Sequence, residues 1–519
     1  MSRSLKILFG QDEIELVKHQ RLTPVEWVPA ALINAHMVMT GDSGTGKTHN
    51  IREFIRQIDA QRAAGTVGTL RRVHLMDSHG DLDVPGASEV MFSQTTPYAF
   101  NPFDVDPDPH FGGVRRAINN FLGLLSRTSR KLGPTQESVL RALLMEAFRQ
   151  AGFHPDDPST WAADGGQPPP GAVPDRLYLD VPYEEREIAK AAARADGVRL
   201  EFQADVRCWW ASARGEALQR WPLKTWGRRA PTIHDVIRLT EWRLKSLFVG
   251  TDNRGMAALE ELHRAQAALR RAVLAARRQS ASLDDEELQA KRDKAAEKAR
   301  GALDDYITHV STGTELDELI RYESADTLKS LLDRLENLRA TGVARSQTPP
   351  FDDAALVWRY DIRAYGDDEK RLFVENWLLR LFTAAKARGV QPGVTDLVVI
   401  DEAPKYLSED SDHIINTIIY EARKFGIALV LVSQSPTQYP ESVLSGVGCK
   451  IILGLDPMYT RMAMTKLALD ERILKLVVPR QRILVNLKEN GQAARWHAVR
   501  LPGASAVAGR ADSSAAAVG

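Results

Sequence analysis

The sequence predicts an α/β protein, a mostly parallel sheet whose two halves are separated by a large, mostly helical insertion. Two observations carry the prediction. Strand, glycine-rich turn, helix and strand succeed one another from His36 to Asp77, and the same alternation returns after Ala355. Between these stretches, from about Asp104 to Pro350, apolar residues recur at helical spacing instead.

The elements follow in order. Short apolar runs at Ile7–Phe9 and Val25–Pro29 read as strands leading into the strand His36–Thr40. A glycine-rich turn comes next, then an amphipathic helix over Asn50–Ala60 and the strand Val73–Met76, which ends at Asp77. In the insertion, helical periodicity covers Val114–Ser126, Gln136–Ala151, Tyr183–Ala211 and His234–Phe248, with a loop at Gly165–Pro174. Arg254–Arg300 alternates Leu and Ala with dense charge. Its apolar positions Leu259, Leu262, Leu269 and Val273 mark a short helical hairpin or coiled coil. The sheet then resumes with the strand Ala355–Tyr360, the helix Glu369–Arg388 and the strand Leu397–Ile400. A helix over Asp412–Phe425, stopped by Gly426, precedes the apolar strand Ile427–Ser433. Lys450–Leu455, Ile483–Leu487 and Ala493–Val499 complete the strands. Residues 1–104 and 351–502 are therefore expected to form one core, 105–350 an insertion domain, and 503–519, small and polar, a disordered tail.

Across 519 residues, 68 Lys and Arg balance 68 Asp and Glu. Zero net charge argues against a surface that coats nucleic acid everywhere, while a ring or cleft with a local basic lining stays compatible. Hydrophobic residues at 44% and charged residues at 26% exclude collagen-like, mostly disordered and disulfide-framework classes. Cys208 and Cys449 have no metal-ligand spacing around them and read as free thiols of a reducing cytosol. No basic-then-apolar leader follows Met1 and no run of about eighteen apolar residues occurs. A cytoplasmic protein without a membrane anchor is expected.

Gly41-Asp42-Ser43-Gly44-Thr45-Gly46-Lys47-Thr48 fits G-x-x-x-x-G-K-[ST], with a strand before it and a helix after it. Glycines let successive backbone N–H groups turn inward on phosphate oxygens, and the following helix adds its positive dipole end, so Gly41, Ser43, Gly44, Thr45, Gly46, Lys47, Thr48 and His49 are the expected nucleotide-binding residues. Lys47 is expected to reach the β and γ phosphates of ATP, and Thr48 to ligate Mg²⁺. Leu397–Ile400 delivers Asp401 and Glu402 at its C-terminal end. Asp401 suits the Mg²⁺ shell, and Glu402 suits a base that orients and deprotonates water, the pattern of a hydrolase rather than a kinase. Gln434 follows the next apolar strand and takes a γ-phosphate sensor position if the two strands are neighbours. Arg423 and Lys424 close the preceding helix, either as plain cations at a helix C-terminus or, in a ring, as an arginine finger for a neighbouring subunit. Asp77, His79 and Asp81 lie near this site by strand order, either tuning the metal shell or structuring their loop.

Together with this loop, Leu75–Asp81 (LMDSHGD), Phe100–Asp104 (FNPFD), Leu397–Ala403 (LVVIDEA) and Glu421–Pro436 (EARKFGIALVLVSQSP) make the sequence resemble the HerA/FtsK superfamily. The likeness covers roughly residues 30–104 and 350–500. It implies a RecA-like P-loop NTPase core, mostly hexameric rings, and translocation of DNA, with duplex DNA the expected partner. It assigns phosphate-loop, carboxylate, sensor and trans-arginine roles to Lys47, Thr48, Asp401, Glu402, Gln434 and Arg423. The β-barrel of HerA, the membrane helices of FtsK and conjugative coupling proteins, and the large N-terminal domain of type IV secretion ATPases have no counterpart here. What remains resembles stand-alone HerA-like ATPases that accompany nucleases or other effectors in DNA processing and phage defence, an analogy at the level of fold.

One further cluster lies between Arg207 and Arg229. Trp209, Trp210, Trp221 and Trp226 are interleaved with Arg207, Arg214, Arg220, Lys224, Arg228 and Arg229. Such a mixture stacks on bases and clamps phosphates, anchors a partner protein, or is simply core with a solvated cationic face; the last is expected. Two functions share the same active site: a DNA translocase or helicase, and a nucleotide-switched scaffold that assembles and gates a separate effector.

Overall fold

A computed structural model of the chain describes residues 5–502, apart from 129–131, 164–168, 170, 174–175, 182–184, 222, 225, 250–260, 262–263, 269, 271–284, 310–324 and 411–412. The chain divides into two compact units. One combines residues up to Phe100 with those from Gln347 onward, and the other is Asn101–Ser346. Among the described residues no helix is long and apolar enough to cross a membrane.

Fourteen strands are described. In chain order they begin with β1 (Ile7–Asp12), β2 (Pro24–Trp27), β3 (Met37–Gly41), β4 (Arg72–Asp77) and β5 (Ser88–Met91). Next are β6 (Leu177–Leu179), β7 (Leu200–Gln203) and β8 (Cys208–Ala211). The last are β9 (Val357–Asp361), β10 (Asp396–Ile400), β11 (Ile427–Ser433), β12 (Cys449–Gly454), β13 (Arg482–Leu487) and β14 (Arg495–Arg500). The first unit is built on one eleven-stranded sheet in the order β2-β1-β14-β13-β12-β3-β11-β10-β4-β9-β5. From β12 to β5 the strands run parallel, while β13, β14, β1 and β2 add an antiparallel extension. This is the P-loop NTPase core of RecA type, a mostly parallel sheet flanked by helices.

The central strands are apolar along their whole length because both faces are covered. β3, β10 and β11 are buried at every residue. The helix Lys47–Ala63 lays Ile51, Phe54, Ile55 and Ile58 on the sheet, with Phe54 against Trp27 at 5.3 Å between rings. The helix Asp367–Arg388 packs an aromatic cluster, Phe373 on Phe92 at 4.6 Å and Trp377 on Tyr360 at 5.1 Å. At the base of the sheet, buried Asp396 is bonded by Arg71, His74 and Arg388, which together hold its carboxyl far below the usual carboxylate range against the opposing push of burial.

The second unit carries the helices Val114–Thr128, Pro134–Gln150, Ile233–Val249, Asp285–His309 and Ala325–Thr341. Leu328, Leu331, Leu335 and Leu338 form the buried stripe of the last of these. It is not wholly helical. The helix expected over Tyr183–Ala211 spans only Arg186–Ala195, and β7 and β8 follow it, with β8 pairing β6 and β7 antiparallel. Gly197 takes a left-handed φ of 65° just past the helix end, and Arg207 turns the chain at φ 52° between β7 and β8. The helical spacing read through this stretch joined a true helix to a two-stranded ribbon. Likewise the helix expected over Asp412–Phe425 is Ile414–Glu421, continued as the tighter turn Ala422–Phe425, with Gly426 at φ 79°. Leu259, Leu262, Leu269 and Val273, most of the Gly165–Pro174 loop, and the 503–519 tail lie outside the described residues.

Candidate active site

The topology brings the predicted groups to one edge of the sheet. β3 lies between β11 and β12, and β11 lies between β3 and β10. The phosphate loop leaves β3, Gln434 leaves β11, and Asp401 and Glu402 leave β10, so all three meet at the C-terminal ends of parallel strands, where such sheets bind ligands. A cavity of about 600 Å³ opens there. Its wall includes Ser43, Gly44, Gly46, Lys47, Thr48 and His49 on one side and Asp401, Glu402 and Gln434 on the other. Gly41 and Thr45 lie beneath the loop instead. The Thr45 hydroxyl donates to the Asp42 carbonyl at 2.7 Å, and a Cβ on Gly41 would come within 2.4 Å of that hydroxyl oxygen.

Gly44 and Gly46 hold φ of 76° and 102°, backbone that side chains rarely adopt. The helix from Lys47 has Gly46 at its N-cap and so no side chain to cap its first N–H groups, an end that suits an anion. Lys47 Nζ donates to the carbonyls of Gly41 at 2.8 Å and Asp42 at 3.2 Å. Arg52 donates to the carbonyls of Asp81 and Asp83, and Arg480 Nε to that of Gly44 at 3.0 Å. Thus three cations on this wall bond neutral oxygens, and none forms an ion pair with a described carboxylate. An uncompensated positive wall beside a glycine cradle fits the phosphates of a nucleotide.

The opposite wall is acidic. Asp401 is 9% exposed. Burial, reinforced by Asp81 and Glu402 nearby, pushes its carboxyl up to about 6 against the opposing pull of the Glu402 N–H and His79. Among the described residues no cluster of three His, Cys, Asp or Glu is placed to hold a metal by itself. That donor set fits magnesium, which takes one or two protein oxygens and completes its shell with phosphate and water; Thr48 and Asp401 are the candidates.

Glu402 adopts a left-handed φ of 52° directly after β10 and opens the turn Ala403–Tyr406. Its carboxylate lies 2.6 Å from His79 Nε2 and 2.6 Å from Lys405 Nζ. Burial would raise its pKa, but these two partners outweigh burial and hold it below the usual range. The loop after β4 that carries His79 is shaped by Asp77, which accepts from the N–H groups of His79, Gly80 and Leu82 and pairs with Arg359 at 2.8 Å. Asp77 therefore structures the loop, while His79 and Asp81 line the cavity.

Arg423 is not in this cavity. It is exposed at the N-terminal end of β11, one strand length, roughly 20 Å, from Gln434. Arg480 was missed by sequence reasoning; it sits in a turn before β13, and no spacing to the phosphate loop announces it. The tryptophan cluster of the second unit is largely internal. Trp221 is 2% exposed and donates to Glu185, Trp226 packs edge-on against Tyr178, and Trp210 is covered by Arg176 at 4.1 Å. Lys224 and Arg229 pair with Asp180 at 3.0 and 2.7 Å, and Arg229 with Asp235 at 3.2 Å.

No family profile matches the sequence. The DNA double-strand break repair helicase HerA of Sulfurisphaera tokodaii is 34% identical over 101 residues, 18% of this chain and 20% of that protein. A probable helicase of Methanocaldococcus jannaschii is 33% identical over 99 residues, 17% of this chain and 19% of its own length. The matched stretch thus spans about a fifth of each of these relatives. Among solved structures, VirB4 of Thermoanaerobacter pseudethanolicus superposes with a TM-score of 0.52 at 14% identity, covering 96% of each chain. The chain therefore shares a partial sequence likeness with these helicases and the fold of VirB4, a RecA-like P-loop ATPase fold.

Proposed function

We propose that the protein hydrolyses ATP with magnesium and is a ring-forming DNA translocase or helicase of HerA type. In this reading it is a cytoplasmic homo-oligomer, a hexamer, acting on duplex DNA with a nuclease or other effector in DNA processing or phage defence. The observation that supports it is the convergence of Lys47, Thr48, Asp401, Glu402 and Gln434 on one cavity, from three strands that the chain order alone leaves far apart. The glycine cradle and Lys47 hold the phosphates. Thr48 and Asp401 would hold magnesium, which would supply charge neutralisation for the phosphates. Glu402 orients the attacking water and takes its proton, for which its carboxylate must first leave His79 and Lys405. Gln434 reads the γ-phosphate from the end of β11. Arg423, outside its own cavity, serves that of a neighbouring subunit, so isolated subunits turn over slowly.

The engaged state of Glu402 favours one second reading, a nucleotide-switched scaffold that gates a separate effector with little translocation. Steady-state ATP hydrolysis with and without linear duplex DNA, at fixed salt and with Glu402→Gln as the blank, separates the two. A several-fold rise on adding DNA supports the motor. Turnover indifferent to DNA supports the scaffold, and no turnover above the blank rejects both.

A further inference from the structure

The geometry points to Arg480 as a nucleotide-binding residue acting within its own subunit, completing with Lys47 the positive wall of the cavity around the phosphates. This rests on the reading of the cavity as a nucleotide site and adds to it a residue outside the loop and carboxylate motifs. Three independent features carry it. First, Arg480 lines the cavity although it is more than four hundred positions beyond the phosphate loop, brought there because β13 pairs with β12 and β12 with β3. Second, its backbone is held at φ 64°, a conformation that favours glycine, in the turn Val478–Arg482. A structural turn has no need of a long cation there, so the arginine occupies this position at the expense of backbone comfort. Third, among the described residues its guanidinium bonds only a neutral carbonyl, that of Gly44, while its Cγ lies against Gly46, where a Cβ would stand 3.7 Å away. Arg480 rests on the rim of the cradle with donors to spare, since a guanidinium has five.

The chemistry that completes it is the phosphate chain of a nucleoside di- or triphosphate, to which an arginine donates two parallel hydrogen bonds. Because the contact is made at the Gly44–Gly46 rim rather than from the carboxylate wall, ADP and ATP should depend on it alike. This distinguishes Arg480 from Arg423, which is expected to matter for turnover and not for ADP.

The test measures binding of fluorescent ADP and ATP analogues to the full-length protein for wild type, Arg480→Gly, Arg480→Lys and Lys47→Ala, with the melting temperature of each in the absence of nucleotide. Glycine suits φ 64°, so Arg480→Gly should melt no lower than wild type, yet bind both nucleotides about tenfold more weakly. Arg480→Lys should recover part of that loss. If Arg480→Gly binds as wild type does, or loses binding only in step with a lower melting temperature, Arg480 merely braces the loop and the inference is overturned. If wild type itself binds no better than Lys47→Ala, the nucleotide reading of the cavity has failed, and the inference with it.

Discussion

Two cationic clusters, one in each unit, invite comparison. In the second unit, Lys224, Arg229, Arg238 and Arg243 each lie against Asp180, Asp235 or Glu146, at 2.7 Å for the Arg229–Asp180 and Arg243–Glu146 pairs. In the first, Lys47, Arg52 and Arg480 lie against carbonyls. From sequence, the interleaved tryptophans and arginines of the second unit are expected to be core with a solvated cationic face, and in the structure Lys224 and Arg229 lie on carboxylates. A cation whose charge is already balanced has little to offer a phosphate, whereas one parked on a carbonyl loses only a neutral hydrogen bond when a phosphate arrives. What separates a binding site from a structural network is the partner of each charge, which composition does not record.

The comparison can be broken in several ways. The largest effect is expected at the first cluster and its acidic counterpart: Lys47→Ala should abolish nucleotide binding, and Glu402→Gln should lower kcat by up to about 10⁴-fold while leaving nucleotide binding intact. Normal turnover in either variant would remove the active site from this cavity. Next, Arg423→Ala should cost about 10³-fold in turnover of the assembled protein with ADP affinity unchanged. Mixing it with Glu402→Gln subunits should restore some activity if the two residues serve one interfacial site, and none if Arg423 only ends its helix.

Acid should then tell the two units apart. His36 is fully buried between β3 and β11, where it accepts from the N–H of Leu429, and burial pushes its pKa down to about 4. The folded value lies below the unfolded one near 6.5, so the unfolded chain binds more protons in between. Stability is therefore full above about pH 6.5 and falls as pH drops toward 4, by up to about 3 kcal/mol. In the second unit, Asp180 and Asp235 are lowered: burial would raise them, but Arg229 beside both outweighs it. Their contribution is present above the unfolded value near 3.8 and is lost only below it. Hydrogen exchange across pH 7 to 4.5 should show β3 and β11 loosening while β6 and β8 hold; simultaneous loss would refute the assignment. The smallest effect is expected from Asp180→Asn, which leaves Lys224 and Arg229 half-buried with one partner fewer. A cost of about 2 kcal/mol in denaturant, with no change in the salt dependence of DNA binding, would fit a structural network.

Much of the first unit was legible because its signals are local. The glycine loop, the apolar β10 with its two terminal acids, and β11 running into Gln434 each announce themselves within ten residues. Their convergence was legible only conditionally, since it needed β10 and β11 to be neighbours, and they are. What escaped was long-range or mixed in period. Arg480 reaches the site through two strand pairings and carries no spacing signal. The His79 and Lys405 contacts to Glu402 depend on how two loops fold back. Gly197 was passed over because alanines and arginines on its N-terminal side kept the helical period alive until β7 had begun.

The sheet order has a consequence for how the protein is made. β3 pairs with β11 and β12 alone, so the strand that bears the phosphate loop ends at Gly41 while its partners start at Ile427 and Cys449. On the ribosome the second unit is finished long before those partners emerge, and at roughly 5–20 residues per second the apolar β3 waits from about 20 s to more than a minute for a neighbour. Throughout synthesis of the insertion, the nascent chain therefore displays an unpaired strand that invites a chaperone or a second polysome-borne copy. A message truncated between Ser346 and β11 would carry the whole second unit tethered to a sticky, siteless first half.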